Sequence, residues 1–404
     1  MTSVDATSPL LVVVRTLLAL AVVFVLLATT GWTTIKHRPV PGPSREAALA
    51  AWARDRTEHG PLPAPGSPAA RVAAFFAGLG HARAAALAER HPLVVGNLDG
   101  APVALRYRAN RITLDRALAA EGGRVDDPRL SDEGRHEARR RLDRFASMLR
   151  PGRQILSFDP TGTGRAAEVL GDLEHAERVS VVVPGVDTNL LTFQKTHGRY
   201  GAPAGMAEAL YAEERRASPG ARSAVIAWAD YTAPVGVGVD AMTGRLAENG
   251  AARLVRLTEA LPGHARVALF CHSYGSVVCG VAAPRLPARV TDLAVAGSPG
   301  MRVERAAELG TRARVWAMRD ADDWIADVPH LEVGGVGHGA DPVAREFGAR
   351  LLSARGAVGH SGYFAPGTAS LGNFAAIGVG AYGDVVCARA DSACHDGISG
   401  AEGP

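Results

Sequence analysis

The chain has 404 residues, a net charge of +3 and 21% charged residues. That length is ample for a large buried core, and the near balance of charge excludes a nucleic-acid binder that works by bulk basicity. The cations are almost all Arg, with Lys36 and Lys195 the two lysines, and in Arg124–Arg144 ("RVDDPRLSDEGRHEARRRLDR") they alternate with acids as on a solvated helix face, not a phosphate-binding groove.

Thr16–Ile35, "TLLALAVVFVLLATTGWTTI", carries no charge over twenty residues, just enough to cross the hydrocarbon layer of a bilayer. Arg15 precedes it, and Lys36 and Arg38 follow. Residues 1–38 therefore read as an N-terminal transmembrane anchor. The alternative is a cleaved signal peptide, which would make the protein secreted, although no small-x-small cleavage site stands out. The cations after the run argue for a cytoplasmic C-terminal side, while a signal anchor of the opposite hand would put the domain outside, so the side stays open.

Residues 39–150 read as linker and helical region. "KHRPVPGP" (Lys36–Pro43) and "GPLPAPGSP" (Gly60–Pro68) are stiff Pro/Gly linkers. Ser44 is placed to cap a short helix running to Arg56. Ala69–Arg90 and Ile112–Leu149 carry Ala, Leu and Arg at helical spacing.

From Gln154 the rhythm changes, and residues 151–390 read as one domain followed by a tail, 391–404. Strand-length apolar runs lie at Gln154–Phe158, Arg178–Gly185, Ser223–Trp228, Arg266–His272, Val290–Ser298 and Ala313–Arg319. Helices are expected at Met206–Ala217, Gly250–Leu261, Gly275–Ala283 and Pro342–Ser353. Continuous apolar strands alternating with helices predict a mainly parallel sheet covered on both faces, which binds ligands beyond the carboxyl ends of its strands.

One of these junctions carries chemistry. "RVALFCHSYGSVVCGVAA" (Arg266–Ala283) is an apolar strand, a turn around Ser273 and a helix of small residues, the layout of a nucleophile elbow. Gly275 fills the small position two after the serine and Cys271 the one two before it. A serine needs a base and the base an orienting acid, and in one common chain order these follow the serine as acid, then His. "VWAMRDADDWIADVP" supplies Asp323, with Asp320 and Asp322 as competing acids. "GAVGHSGYF" supplies His360, with His338 and His330 as competitors. His272 reads as a packing neighbour of the serine. The oxyanion hole is expected from the N–H of Tyr274 and from the Gly185 loop, through Val186 or Asp187. Asp230–Gly244 reads as a rim or flap over the site. Cys271 and Cys279 read as small hydrophobes, and Cys387 and Cys394 could close a disulfide loop, which suits an oxidising compartment. Neither CxxC nor HExxH occurs, so nothing supports a metal.

These motifs resemble the α/β-hydrolase-like family of high-GC Gram-positive bacteria that is usually labelled a domain of unknown function. The resemblance rests on "CHSYGSVV", "VVVPGVDTN", "VWAMRDADDWI", "HGADP" with "FGAR", and "GHSGYF", and covers roughly residues 154–382. The family pattern carries glycine where this chain has Cys271. The resemblance implies an α/β-hydrolase fold and a triad of Ser273, Asp323 and His360, and it names no substrate. The expected activity is serine hydrolysis of a carboxylic ester on a small-molecule or lipid-like substrate, without cofactor and without a nucleic-acid partner. The alternatives are a non-catalytic binding or scaffold protein on the same fold, and an acyltransferase.

Overall fold

The computed structural model describes residues 44–58, 60–388 and 392–398. The expected membrane span, Thr16–Ile35, lies outside them, and no described helix is long and apolar enough to cross a membrane.

Among the described residues, five helices of ten residues or more precede the sheet, α1 (Arg45–Arg54), α2 (Ala69–Leu79), α3 (His81–Arg90), α4 (Val103–Val125) and α5 (Asp132–Met148), with the short helix Pro92–Val95 between α3 and α4. Ser44 caps α1 as its sequence suggests, accepting the Ala47 N–H at 3.1 Å. The first three helices bury Trp52, Val72, Phe76, Leu79 and Leu87 in a core of their own, shared with Val94, Val95 and Leu105. Farther along, Leu114 of α4 and Phe145 and Met148 of α5 turn onto the sheet.

Eight strands make one sheet: β1 (Gln154–Asp159), β2 (Arg165–Gly171), β3 (Arg178–Val183), β4 (Ser223–Ala229), β5 (Arg266–His272), β6 (Val290–Ala296), β7 (Arg314–Met318) and β8 (Arg350–Leu351). Their order across the sheet is β8-β7-β6-β5-β3-β4-β2-β1. Only β2 runs against its neighbours. Successive residues feed opposite faces. Val179, Val181 and Val183 join a core with α7 (Arg245–Ala260) and α8 (Tyr274–Ala282), while Val182, Val225 and Phe270 join one with α6 (Pro203–Ala217) and α9 (Ala369–Val379). Two-sided burial is why these strands read as unbroken apolar runs.

Three elements depart from the expectation. β2, "RAAEVLG", was not expected as a strand; its Glu168 is buried against Arg153, so a charged strand position is neutralised by pairing instead of solvated. Pro342–Ser353 is not a helix. It holds a single 3-10 turn at Arg345–Phe347, stopped by Gly348 at φ 83°, and then the short strand β8. Conversely α9, capped by Thr368, was not expected, because Gly372 and Gly378 dilute its helical signal. Gly378 is needed there: a Cβ would sit 2.2 Å from the buried Glu214 carboxylate. Cys387 and Cys394 are joined in a disulfide.

Candidate active site

Ser273 follows directly on β5 and opens α8 with φ 55° and ψ −130°, a conformation that L-residues adopt only when the surroundings impose it. Gly275 makes the turn possible, because a Cβ there would lie 2.3 Å from the Val183 carbonyl oxygen. Gly185, on the loop leaving β3, faces the serine so closely that its own Cβ would lie 2.6 Å from Ser273 Cβ.

Cys271 and Cys279 correct the sequence reading. They are not free small hydrophobes but a disulfide, with Cα atoms 6.5 Å apart. The turn folds α8 back along β5, which brings the second turn of the helix beside the last residues of the strand. The bridge ties together the two elements that hold Ser273, in the position where small, buried residues were expected.

Three side chains from three loops meet here. His360 Nε2 lies 2.8 Å from Ser273 Oγ, and His360 Nδ1 lies 2.8 Å from Asp323 Oδ1. With the Nδ1 proton directed at the carboxylate, Nε2 presents a lone pair to the serine hydroxyl. Asp323 Oδ1 also accepts the Ile325 N–H at 3.0 Å, and Oδ2 accepts the hydroxyl of Tyr363. Burial opposes the charge on Asp323, but the hydrogen bonds from His360, Tyr363 and Ile325 outweigh it and hold the carboxyl below its ordinary value. Gly297, at the end of β6 with φ 56°, leaves room for this junction, since a Cβ would lie 2.7 Å from Asp323 Oδ2.

The competing residues do other work. Asp320 accepts the Gly359 N–H at 2.8 Å and so holds the loop that carries His360, while Asp322 is exposed. The ring nitrogen of His330 lies 3.3 Å from the Ser298 carbonyl. His338 is buried and bonds the Ala241 carbonyl at 2.7 Å. His272 is buried too, and burial with the neighbouring His360 lowers its pKa to about 3. It is therefore neutral, and its Nε2–H donates to the His360 backbone carbonyl. Tyr363 lies within "GHSGYF", where nothing in the sequence marks it as a site residue. Its hydroxyl bridges the Asp320 N–H, accepted at 3.0 Å, and the Asp323 carboxylate, a role visible only once the two loops are placed.

On the other side of the serine, Asp187 spends its N–H on the Pro234 carbonyl at 2.8 Å, so of the two residues expected to donate from that loop Asp187 is already engaged, while the Tyr274 N–H stands at the start of α8. The Tyr274 side chain points away from the site. Its hydroxyl donates to the Thr243 carbonyl at 2.8 Å, and burial pushes its pKa up to about 12. With Tyr231 bonded to the Pro184 carbonyl at 2.6 Å and Gly236 N–H to Asp187 at 2.7 Å, it fastens the segment from Asp230 to Gly244 beside the β3 loop.

Residues 159–333 match the family model described as alpha/beta hydrolase. An uncharacterized protein of Mycobacterium tuberculosis (strain H37Rv), Rv0963c, is 32% identical over 189 residues, covering 44% of this chain and 69% of its own length. The chain belongs to the α/β-hydrolase family. A second uncharacterized protein of the same strain, Rv2079, is 27% identical over 275 residues, 59% of this chain and 40% of that protein. Among solved structures, a dienelactone hydrolase from Anabaena variabilis aligns with a TM-score of 0.28 at 17% identity, covering 41% of this chain and 72% of that one. A 2,6-dihydroxy-pseudo-oxynicotine hydrolase aligns with a TM-score of 0.29 at 13% identity, covering 70% and 79%. Both scores are low, and family membership rests on the sequence matches.

Proposed function

We propose that this α/β-hydrolase is a serine esterase working through an acyl-enzyme. The observation that carries the reading is the unbroken chain of hydrogen bonds from Ser273 through His360 to Asp323. In the first step Ser273 Oγ attacks the ester carbonyl while its proton passes to His360 Nε2. The negative charge on the carbonyl oxygen falls to the N–H groups of Tyr274 and Val186, helped by the N-terminus of α8. Collapse of this intermediate breaks the ester C–O bond, and His360 returns the proton to the departing alcohol. Water then attacks the acyl-serine with His360 again as base, and the acid leaves. Asp323 keeps the imidazole in the productive tautomer and balances the imidazolium. The N-terminal run Thr16–Ile35 anchors the chain to a membrane, and the substrate is a small or lipid-like ester. A fluorophosphonate tests the reading: it should label the wild-type protein on Ser273 and leave Ser273→Ala unlabelled, and labelling that survives the substitution would overturn it.

A further inference from the structure

The sheet sorts the surface of the protein. Exposed large apolar side chains are few among the described residues, and apart from Val386 they all lie on loops leaving the carboxyl ends of strands, where Ser273 sits. Val235, Val237 and Val239, at 76%, 68% and 57% exposure, follow β4. Leu331, Val333 and Val336 follow β7, the last two on a two-residue antiparallel ladder that also bridges to Thr243 of the β4 loop. The remaining two flank the hydrogen-bonded chain itself. Trp324 adjoins Asp323, its ring 4.7 Å from that of His360, and Val358 stands two residues before His360 with 79% of its surface exposed.

A group of apolar side chains left in water on one end of a domain marks a surface that is covered in use. Three cations beside it are paired, Arg302 with Glu332 at 2.7 Å, Arg245 with Asp240 at 3.1 Å and Arg319 with Asp341 at 2.6 Å, and the exposed Arg355 stands at the edge, three residues before Val358. Carboxylates remain at Asp322 and Asp327, which disfavours an anionic partner.

The course of the chain says what covers it. Forty-three residues precede the described domain, and twenty of them form the uncharged run Thr16–Ile35. They lead into Ser44 and Arg45, and Arg45 pairs with Asp159 at 3.1 Å. Asp159 is the last residue of β1, which lies parallel to β4, so it stands at the carboxyl end of the sheet. Arg165, bonded to Asp159, reaches Asp230 at the end of β4 at 3.7 Å. The described domain thus begins at the carboxyl end of the sheet, the end that carries Ser273 and the apolar rim.

We infer that the catalytic face docks on a neutral lipid surface, the apolar rim entering the headgroup layer so that Ser273 takes ester substrates directly from the membrane. The inference rests on the esterase reading and names where its substrate comes from. The gain is that of burying apolar area at an interface, a few side chains sufficing for reversible attachment once the chain is tethered.

The test uses the full chain. All four cysteines are paired, so Val237→Cys introduces a single free thiol for an environment-sensitive fluorophore, and Glu174→Cys, on the loop after β2 at the opposite end of the sheet, gives the control. Both labelled proteins are reconstituted with phosphatidylcholine vesicles. The label at 237 should shift its emission to shorter wavelength and be quenched by spin-labelled lipid, and the label at 174 should do neither. In parallel, the triple variant V235S, V239S and V333S should raise KM for a vesicle-borne p-nitrophenyl palmitate at least about tenfold and leave turnover of soluble p-nitrophenyl butyrate unchanged. Equal behaviour of the two labels in protein that still hydrolyses the soluble ester overturns the docking alone. A shift at 237 in protein that hydrolyses neither ester supports docking and refutes the esterase reading. A concentration-dependent shift without lipid assigns the rim to a second copy of the chain and overturns the inference.

Discussion

Replacing Asp323 by Asn tests the electrostatics of the site with almost no change of shape. The side chain is fully buried, and its Oδ1 accepts two donors, His360 Nδ1–H and the Ile325 N–H. An amide nitrogen cannot take that place, because it would face a backbone N–H that has to be accepted. The Asn oxygen therefore stays on the His360 side, and its amide group turns to Tyr363, whose hydroxyl oxygen can accept. The productive tautomer of His360 survives, and what is lost is the negative charge opposite the imidazolium. At a charge separation of about 4 Å and an effective dielectric constant near 20, that attraction is about 4 kcal/mol. Since it is made mainly when His360 is protonated, the loss falls on kcat, about 10³-fold, with KM little changed. A wrong tautomer would cost about 10⁴ in the serine-protease template. The assay is steady-state hydrolysis of p-nitrophenyl butyrate by wild type and Asp323→Asn, with thermal melts to show that both are folded. A loss below about tenfold, or one expressed in KM, would refute the reasoning.

Two further outcomes follow from contacts already described. Gly185→Ala would place a methyl group 2.6 Å from Ser273 Cβ, so kcat should fall by at least about 10²-fold through a displaced nucleophile and oxyanion loop; measured activity within a factor of about two of wild type would mean that this loop is not part of the site. Glu214, buried beneath α9 and bonded by Ser180, has its carboxyl pushed up to about 8 by burial, from an ordinary value of 4.5. The unfolded chain ionises this group above about pH 4.5 whereas the folded chain holds the proton to about pH 8, so its contribution is fully present below the lower value and is lost as pH rises through the upper one. Glu214→Gln should therefore match the wild type near pH 4.5 and exceed it by on the order of a few kcal/mol near pH 8 in denaturant titrations; parallel pH profiles would contradict it.

Much of this was legible in the sequence because the strands are buried on both faces and read as apolar runs, and because an elbow needs small residues at fixed offsets from its serine. The acid and the histidine could be found by chain order, and Asp320 could be told from Asp323 only by which carboxylate the fold turns inward. What stayed hidden has physical causes. β2 conceals itself by carrying a charge neutralised by a distant Arg153. The Cys271–Cys279 bridge depends on how tightly α8 folds back on β5, which spacing alone does not give. Tyr363 acquires its role only when the loops after β7 and β8 meet, and the apolar rim becomes visible only when burial separates it from the many valines of the core.

The central claim is that Ser273 is a nucleophile, and the most direct measurement is the mass of the peptide that contains it after exposure to a fluorophosphonate. Expected is a single phosphonyl adduct on Ser273 in the wild type, slowed strongly in Asp323→Asn and absent in Ser273→Ala. An unmodified Ser273 in folded protein, or an adduct on another serine, would contradict it.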